Sequence, residues 1–466
     1  MKIMLAVPVR PKHLDFWVIP PLGIGYIARA LERVGYEVEI LNCPKEKFSL
    51  LDFECHFKTQ IPDILGITMF SHDLQYAGKM FDIAKAHNKS TITVAGGPHP
   101  SCMPKETLGL FLNLDFVVRG EGEVTVPRLI EVLSLREKLN DIPNLVWRDE
   151  AGNIVVNEQQ HIENLDSLEM PAWNLMGLNS YPKIPPTLLF KKQPFAPISV
   201  TRGCPFSCTF CAAHIHGRKI RSRSIDNVLM EIDLLYRDYG IREFYIVDDN
   251  FTADKAMVKK FCSEIINRKY DIAFCNPNGV RLDTLDMEML TLMKKAGWYY
   301  LSVGIESGSQ PVLDHMKKRI NITLVREKVS IIRKAGLEVY GFFIVGYPTE
   351  TLEDIKKTVN LALELDLIGA NFSCFHPLPG TAIFEMLVQN GKIKREKFTE
   401  LFNSTYADVA YSPDNIPVKT LKSIQRKAIL RFYSRPRIIF KNLMYLKSVA
   451  HLRFLITRAS AYILGS

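Results

Sequence analysis

The run SVTRGCPFSCTFCAAH sets Cys204, Cys208 and Cys211 at the spacing CxxxCxxC, with Phe210 just ahead of the last cysteine. Three thiolates this close can hold three irons of a [4Fe–4S] cluster, whose usual ligand is cysteine sulfur. The fourth iron then stays open to a small molecule that can accept an electron. Two other chemistries fit the same residues. His214 follows Cys211 by three positions and would complete a tetrahedral Cys3His zinc site. A disulfide with one spare thiol is the other. The nine cysteines are odd in number and scattered, and the N-terminus MKIMLAVPV reads as a strand rather than a secretory signal. That pattern points to a reducing cytosol and against the disulfide. Cys275 and Cys374, in apolar strand-like runs, read as small buried hydrophobes.

The elements that must carry this loop are strands alternating with helices, from Ala196 to about Asn390. Six candidate strands, APISVTRG, EFYIVDD, IAFCNP, YLSVGIE, EVYGFFIVG and ANFSCFHP, predict a (β/α)6 partial TIM barrel. In such barrels the chemistry sits on the loops that follow the strands, and the cysteine run follows the first strand. The later strand ends carry Asp248-Asp249-Asn250, then Asn276, Asn278 and Arg281, then Glu306-Ser307-Gly308. The fifth ends in Gly346-Tyr347-Pro348-Thr349-Glu350 and the sixth in Pro377-Leu378-Pro379-Gly380-Thr381. A carboxylate can hold an ammonium or paired ribose hydroxyls, and an arginine can clamp a carboxylate. Glycines admit backbone amides to an adenine or a sugar. Such groups suit an amino acid joined to a nucleoside. Each could instead cap a helix: Asp248 or Asp249 before AMVKKFCSEI, Thr349 before LEDIKKTVNLAL.

At 466 residues the chain calls for two or three domains. Residues 1–135 alternate five apolar runs (KIMLAVPV, EVEILNC, ILGITMF, TITVAGG, DFVVRG) with amphipathic stretches, which predicts a doubly wound, Rossmann-like parallel sheet. Pro8, Ser71, Gly96-Gly97 and Gly120-Glu121 stand at its carboxyl edge. Residues 136–195, rich in proline, read as a linker with one hairpin, NLVWRDEAGNIVVNE. The division is then 1–135, linker 136–195, barrel 196–395, and a basic helical C-terminal region 396–466. The net charge of +9 belongs to that last region: Asn415–Ser466 holds eleven Lys and Arg and no acidic residue, leaving −2 for the rest. Its stretch from Met444 to Leu464 carries Lys447, His451, Arg453 and Arg458, too many charges for a membrane span. It suits an anionic membrane surface, helices docked on the barrel, or a nucleic-acid patch.

The strings PPLGIGYIARALERVGYEVEIL, GGPHPS, VVRGEGE, TRGCPFSCTFC, IVDDNFT, GIESGS, GFFIVGYPTET and PLPGT occur in this order over about residues 1–440. In them the chain resembles radical S-adenosylmethionine (SAM) enzymes of the class with an N-terminal cobalamin-binding-type domain. The resemblance implies that Cys204, Cys208 and Cys211 ligate the cluster and that its open iron takes the amine and carboxylate of SAM. One electron, from a reduced flavodoxin or ferredoxin-type donor, would yield a 5′-deoxyadenosyl radical that takes hydrogen from an unactivated carbon. Asp248 or Asp249 is expected at the SAM amine, Arg281 at its carboxylate and Glu306 at its ribose. Phe210, Asn276, Ser307 and Gly346 are expected as further cofactor contacts, and no residue is assigned as a catalytic acid or base.

The class motif DxHxxG falls on Val18–Gly23, where Pro20 replaces the His that ligates cobalt. Cobalamin is therefore expected without a protein histidine, with Ser71, Gly96 and Gly97 around its nucleotide tail and His13 an ordinary loop residue. A degenerate domain that binds nothing is the other reading. The activity implied is cobalamin-dependent C-methylation of a small molecule or lipid, a second SAM restoring the methyl group. Pro20, and Leu378 where many relatives carry Tyr, keep open a radical rearrangement or ring formation on a lipid or tetrapyrrole. A non-catalytic zinc- or RNA-binding protein is the reading from another class. A tRNA methylthiotransferase would want a second cysteine cluster, which the N-terminal domain lacks. The location expected is cytoplasmic, with the basic tail peripheral to the inner face of the membrane, and nucleic acid is not an expected partner.

Overall fold

The computed structural model describes residues 1–11, 18–182, 189–402, 409–449, 451–453 and 455–456. His13, Pro185, Pro186 and Arg458 lie outside the described residues. The chain divides into two compact units, one of residues 1–182, 212–217 and 379–403, the other of residues 183–211, 218–378 and 404–466.

The first unit runs β1 (Lys2–Val7), α1 (Leu22–Arg33), β2 (Glu37–Asn42), α2 (Leu50–Gln60), β3 (Ile64–Thr68), α3 (Leu74–His87), β4 (Ile92–Gly96), α4 (Pro98–Cys102), β5 (Phe116–Val118) and α5 (Thr125–Leu135). The strands pair in parallel in the order β2-β1-β3-β4-β5. The order reverses between β1 and β3, the place where open sheets of this kind bind ligands. Continuous apolar runs such as KIMLAV form these strands because both faces are covered. Phe53, Phe57, Met80 and Phe81 pack in one core, while Ile24, Leu31, Leu129 and Ile130 pack in a second. The hairpin expected in the linker forms as β6 (Leu145–Arg148) and β7 (Ile154–Val156), and pairs antiparallel with β5. Residues 136–182 therefore belong to this unit, because Leu145 and Val146 must be buried. Residues 379–403, with the helix Ala382–Gln389, also group here rather than with the barrel.

The second unit runs β8 (Phe195–Ile198), α6 (Ile225–Asp238), β9 (Glu243–Ile246), α7 (Lys255–Arg268), β10 (Ala273–Cys275), α8 (Met287–Ala296), β11 (Tyr300–Glu306), α9 (Ile322–Lys334), β12 (Glu338–Val345), α10 (Leu352–Glu364) and β13 (Gly369–Cys374). The six expected strands are all present and parallel, in two ladders of three: β8-β9-β10 and β11-β12-β13. Bridges Phe274↔Trp298 and Val280↔Val303 join the ladders. Ser224, Asp254, Asp286, Asn321 and Thr351 cap the helices with their side chains. Asp248, Asp249 and Thr349 are thus not the caps. The role passes to Asp254 and Thr351, each three residues ahead of the amide that its oxygen accepts.

Two more helices follow, α11 (Val418–Tyr433) and α12 (Pro436–Met444). Strand β13 would otherwise be an open edge, with unpaired backbone groups. Helix α11 closes it: Gln425 Nε2 donates to Phe372 O at 2.8 Å, and the Tyr433 hydroxyl serves both N and O of Ala370 at 3.2 and 3.0 Å.

Beyond β11 the chain presses on α10. A Cβ on Gly308 would stand 2.5 Å from the Lys357 carbonyl oxygen and 2.7 Å from Thr358 Cα. Gly308→Ala is therefore expected to cost about 1–3 kcal/mol, at the upper end because backbone cannot yield. An unchanged urea midpoint would refute this packing role.

Candidate functional site

The cysteine loop is tied at its base. Thr201↔Ser222 and Arg202↔Arg221 form a short antiparallel ladder around it. The buried Asp248 carboxyl accepts from the amides of Val200 and Thr201 and from the Thr201 hydroxyl, each at 2.8 Å. Burial nevertheless pushes this carboxyl up to about 7. Arg223, also buried, donates to Ser199 O at 2.9 Å and pairs with Glu231 at 2.5 Å. Further along, Thr209 donates its amide to Met316 O at 3.0 Å, and its hydroxyl lies 2.8 Å from the Tyr347 hydroxyl.

Cys204 and Cys208 are half-buried and Cys211 is exposed. Burial raises the Cys204 thiol, Asp249 adds to that, and Arg281 opposes it. Arg281 stacks 3.8 Å from the Phe206 ring centroid and directs Nη1 at Cys208 Sγ, 3.4 Å away. Its fork is held by Asp283 at 2.9 and 2.8 Å and by Lys318 O at 2.6 Å. The buried Lys318 ammonium meets Glu306 Oε1 at 2.8 Å and stands 5.9 Å from the Phe210 ring centroid. Burial alone would depress Lys318, yet the Glu306 carboxylate and the neighbouring Cys208 raise it above the ordinary lysine value. The pair passes over Gly304, where a Cβ would come 2.3 Å from Glu306 Oε1 and 2.7 Å from Lys318 Nζ. Glu306 itself holds φ +68°, a left-handed conformation costing of order 1 kcal/mol or more.

Several expected SAM contacts are thus engaged by the protein. Asp248 anchors the loop, leaving Asp249 as the carboxylate whose charge reaches Cys204. Asn276 accepts from Trp298 Nε1 at 2.6 Å, and Ser307 lies 3.1 Å from the Thr358 hydroxyl. Gly346 is a packing glycine: a Cβ there would be 2.4 Å from Leu421 Cδ2 of α11. Arg281 and Glu306 are each held by an ion partner close in space. The sequence reading missed Lys318, a lysine that burial and a carboxylate mark out only after folding. It placed Asn250 and Glu350 among the strand-end polar groups without assigning either a cofactor contact. Asn250 Nδ2 and Glu350 Oε1 have no hydrogen-bond partner among the described residues. Glu350 Oε2 accepts from the amides of Gly346 and Tyr347 at 2.6 and 3.0 Å, and burial pushes its carboxyl up to about 8.

In the first unit, Ser71 and Gly97 lie at the carboxyl edge beside the switch point. Gly97 has φ +95°, and a Cβ on it would stand 2.6 Å from Thr68 Oγ1 and 2.9 Å from the Met69 amide nitrogen. Gly96 is less constrained, its nearest neighbour being Val118 O at 3.6 Å. The Ser71 hydroxyl lies 2.9 Å from His99 Nδ1, while His99 Nε2 is buried without a partner among the described residues. Burial brings the His99 imidazole down to about 4, so it is neutral near pH 7.

These residues fit the groups that the motifs imply. Among the described residues, no three His, Cys, Asp or Glu side chains gather around a point as a single metal ion would require. A four-iron cube is larger than one ion, and three thiols on a loop with a guanidinium beside one of them form a suitable donor set. The unpartnered Asn250, Glu350 and His99 atoms offer polar groups to ligands in the two units.

Comparison with known proteins agrees with this geometry. Residues 198–362 match the radical SAM superfamily model and residues 18–130 the B12 binding domain model. The chain is 30% identical over 465 residues to an uncharacterized methyltransferase of Pyrococcus horikoshii, covering 98% of this chain and 97% of that one. It is 29% identical to the cytidylyl-2-hydroxyethylphosphonate methyltransferase of Streptomyces wedmorensis, over 83% of this chain and 80% of the relative. The radical SAM methyltransferase TsrM of Kitasatospora setae, solved with cobalamin and a [4Fe–4S] cluster, shares the fold with a TM-score of 0.69 at 19% identity, covering 84% of this chain and 78% of that one. The fold and site define a radical SAM enzyme with a B12-binding domain. More narrowly, the chain belongs to the cobalamin-dependent radical SAM methyltransferase family, whose cofactors are a [4Fe–4S] cluster, SAM and cobalamin.

Two outcomes follow from the charges. Lys318→Met leaves Glu306 buried and unpaired and is expected to cost about 3–5 kcal/mol in urea unfolding, part of it regained in Lys318→Met/Glu306→Gln. No gain from the second substitution would show that the pair is not coupled. The raised Glu350 carboxyl contributes stability present below its ordinary value of 4.5 and lost as pH rises through about 8. Glu350→Gln, which still accepts both amides, should flatten that part of the melting-temperature profile between about pH 4.5 and 8. Parallel profiles for the two proteins would count against a titrating Glu350.

Proposed function

We propose that the protein methylates an unactivated carbon of a small molecule or lipid, with Cys204, Cys208 and Cys211 as the cluster ligands. The observation that carries this reading is the tethered three-thiol loop beside Arg281, within a chain that also has the B12-binding fold. The cluster and SAM supply a hydrogen-abstracting radical by one-electron cleavage, and cobalamin supplies a transferable methyl group. What the chain contributes is placement and charge. Arg281 places its guanidinium against Cys208 Sγ, where it complements the charge of a ligating sulfur. Asp248 and the Thr209–Tyr347 hydrogen bond fix the two parts of the loop, so the thiols are presented with little freedom left to lose. Asp249, Asn250 and Glu350 are the polar groups assigned to SAM, with Glu306 and Lys318 as one neutralised pair nearby. Phe206 and Phe210 offer apolar cover that limits water.

In the first unit, Ser71 and Gly97 are assigned to the nucleotide tail of cobalamin. A His99 that donates from Nδ1 would leave the Ser71 hydroxyl free to donate outward. Pro20 in the histidine position leaves cobalt without that protein ligand. Electrons are assigned to a reduced flavodoxin or ferredoxin-type donor, and the basic C-terminal region to contact with a membrane surface in the cytoplasm.

Anaerobic purification with hydroxocobalamin, followed by metal analysis and a SAM-plus-reductant assay, tests the reading. Iron and sulfide, a corrinoid spectrum, and formation of both 5′-deoxyadenosine and S-adenosylhomocysteine are expected. Cys208→Ala should lose the cluster absorbance and both products while retaining corrinoid. Formation of 5′-deoxyadenosine alone, with no corrinoid retained, would replace methylation by a rearrangement or ring closure. Zinc in place of iron and sulfide would end the radical reading.

A further inference from the structure

Helix α12 is amphipathic in the wrong sense for a helix that lies on a barrel. Lys441 and Asn442 face the protein, Lys441 Nζ reaching Glu338 and Asp366 at 3.3 and 3.2 Å and Asn442 Nδ2 reaching Ile368 O at 3.5 Å, while the more exposed Arg437 turns back to Asp366 at 2.6 Å. Arg435, just ahead of it, donates to Leu363 O at 2.7 Å. Ile438 is the one apolar side chain of the helix that is buried. Ile439, Phe440, Leu443 and Met444 instead face outward, 47, 65, 54 and 61% exposed. At i, i+1, i+4 and i+5 they share one side of the helix. Val449, Leu452 and Ile456 beyond it are exposed as well. Isolated surface apolar residues are ordinary, but a contiguous row of large ones marks an interaction surface.

From these observations we infer that the outward face of α12, with the exposed residues that follow it, docks on an anionic lipid bilayer. This deepens the assignment of the C-terminal region to membrane contact, and it does not depend on the reaction catalysed. Charge selects the partner. Eleven Lys and Arg with no acidic residue occupy 415–466, and Lys447 and Arg453 are exposed among the apolar side chains. Two copies of the chain meeting through this region would oppose like charges across the contact. A soluble acidic protein would answer the charge, but the apolar row lies on the convex outside of a helix and needs a matching cavity. Lipid tails close around a convex row without one, while head groups meet the cations. No described helix is long and apolar enough to cross a membrane, so the contact is with the surface.

The test is flotation of the full chain with vesicles of phosphatidylglycerol and phosphatidylcholine, against phosphatidylcholine alone. The wild type should float with the anionic vesicles, less so at high salt and weakly with the neutral ones. Phe440→Ser/Leu443→Ser/Met444→Ser should lower the partition at least about tenfold, from the burial value of such side chains. Its melting temperature should stay within a degree or two of wild type, because these side chains touch solvent. Lys447→Gln/Arg453→Gln should weaken binding to anionic vesicles and reduce its salt dependence. The inference fails if the wild type floats with neither vesicle, or if the triple variant floats like wild type. It also fails if light scattering shows a wild-type dimer that the triple variant makes monomeric, since the face would then be covered by a second copy. Loss of flotation with SAM cleavage intact would leave the enzymatic reading standing, and the converse would leave the membrane face standing.

Discussion

Three donors of the chain leaving the first barrel strand converge on one buried carboxyl, Asp248, just past the end of the neighbouring strand. Everything around the cysteines depends on that convergence. A loop carrying three thiols would otherwise sample many conformations, and holding it costs conformational entropy that a single anchoring group must offset. The bonds from Val200 and Thr201 fix where the loop starts, and the Arg202↔Arg221 ladder fixes where it returns. Burial makes the anchor strong, because its hydrogen bonds face no competition from water. It also moves the carboxyl far from its ordinary value, which is the cost of removing a charge from solvent.

A second layer of charge stands beyond this anchor. Arg281 lies between Asp283, the Lys318 carbonyl and Cys208, while Lys318 answers Glu306. Each cation is held by an acidic side chain, so both are fixed in place before any ligand arrives. The strain at Glu306 fits the same scheme. Its left-handed backbone turns the side chain across Gly304 to meet Lys318, and the ion pair offsets part of the conformational cost.

The fold was legible in most of its parts because its signals are local. Continuous apolar runs bounded by turns mark buried parallel strands, and all eleven expected strands are present, five in the first unit and six in the second. The hairpin β6–β7 forms as its sequence suggests, but its pairing with β5 was not legible. Its strands are short, and only the open edge of β5 shows that they must be paired. The caps failed in a similar way, since several Asp, Ser and Thr residues precede each helix and only backbone geometry selects one.

The sequence alone determined the cysteine spacing, the order of motifs and the basic tail, because each lies in residues close along the chain. Tertiary structure alone decided how the polar strand ends are shared between folding and function. Asp248, Asn276 and Ser307 are engaged by neighbouring strands and helices, Gly346 by a helix from the C-terminal region, and Lys318 gains its importance from Glu306. Those partners are separated from them by between 12 and more than 70 residues. No local pattern encodes such distances, since they are set by how layers pack. The same holds for the outward apolar row of α12, whose composition suggested an amphipathic helix but whose polar side the barrel alone turned inward.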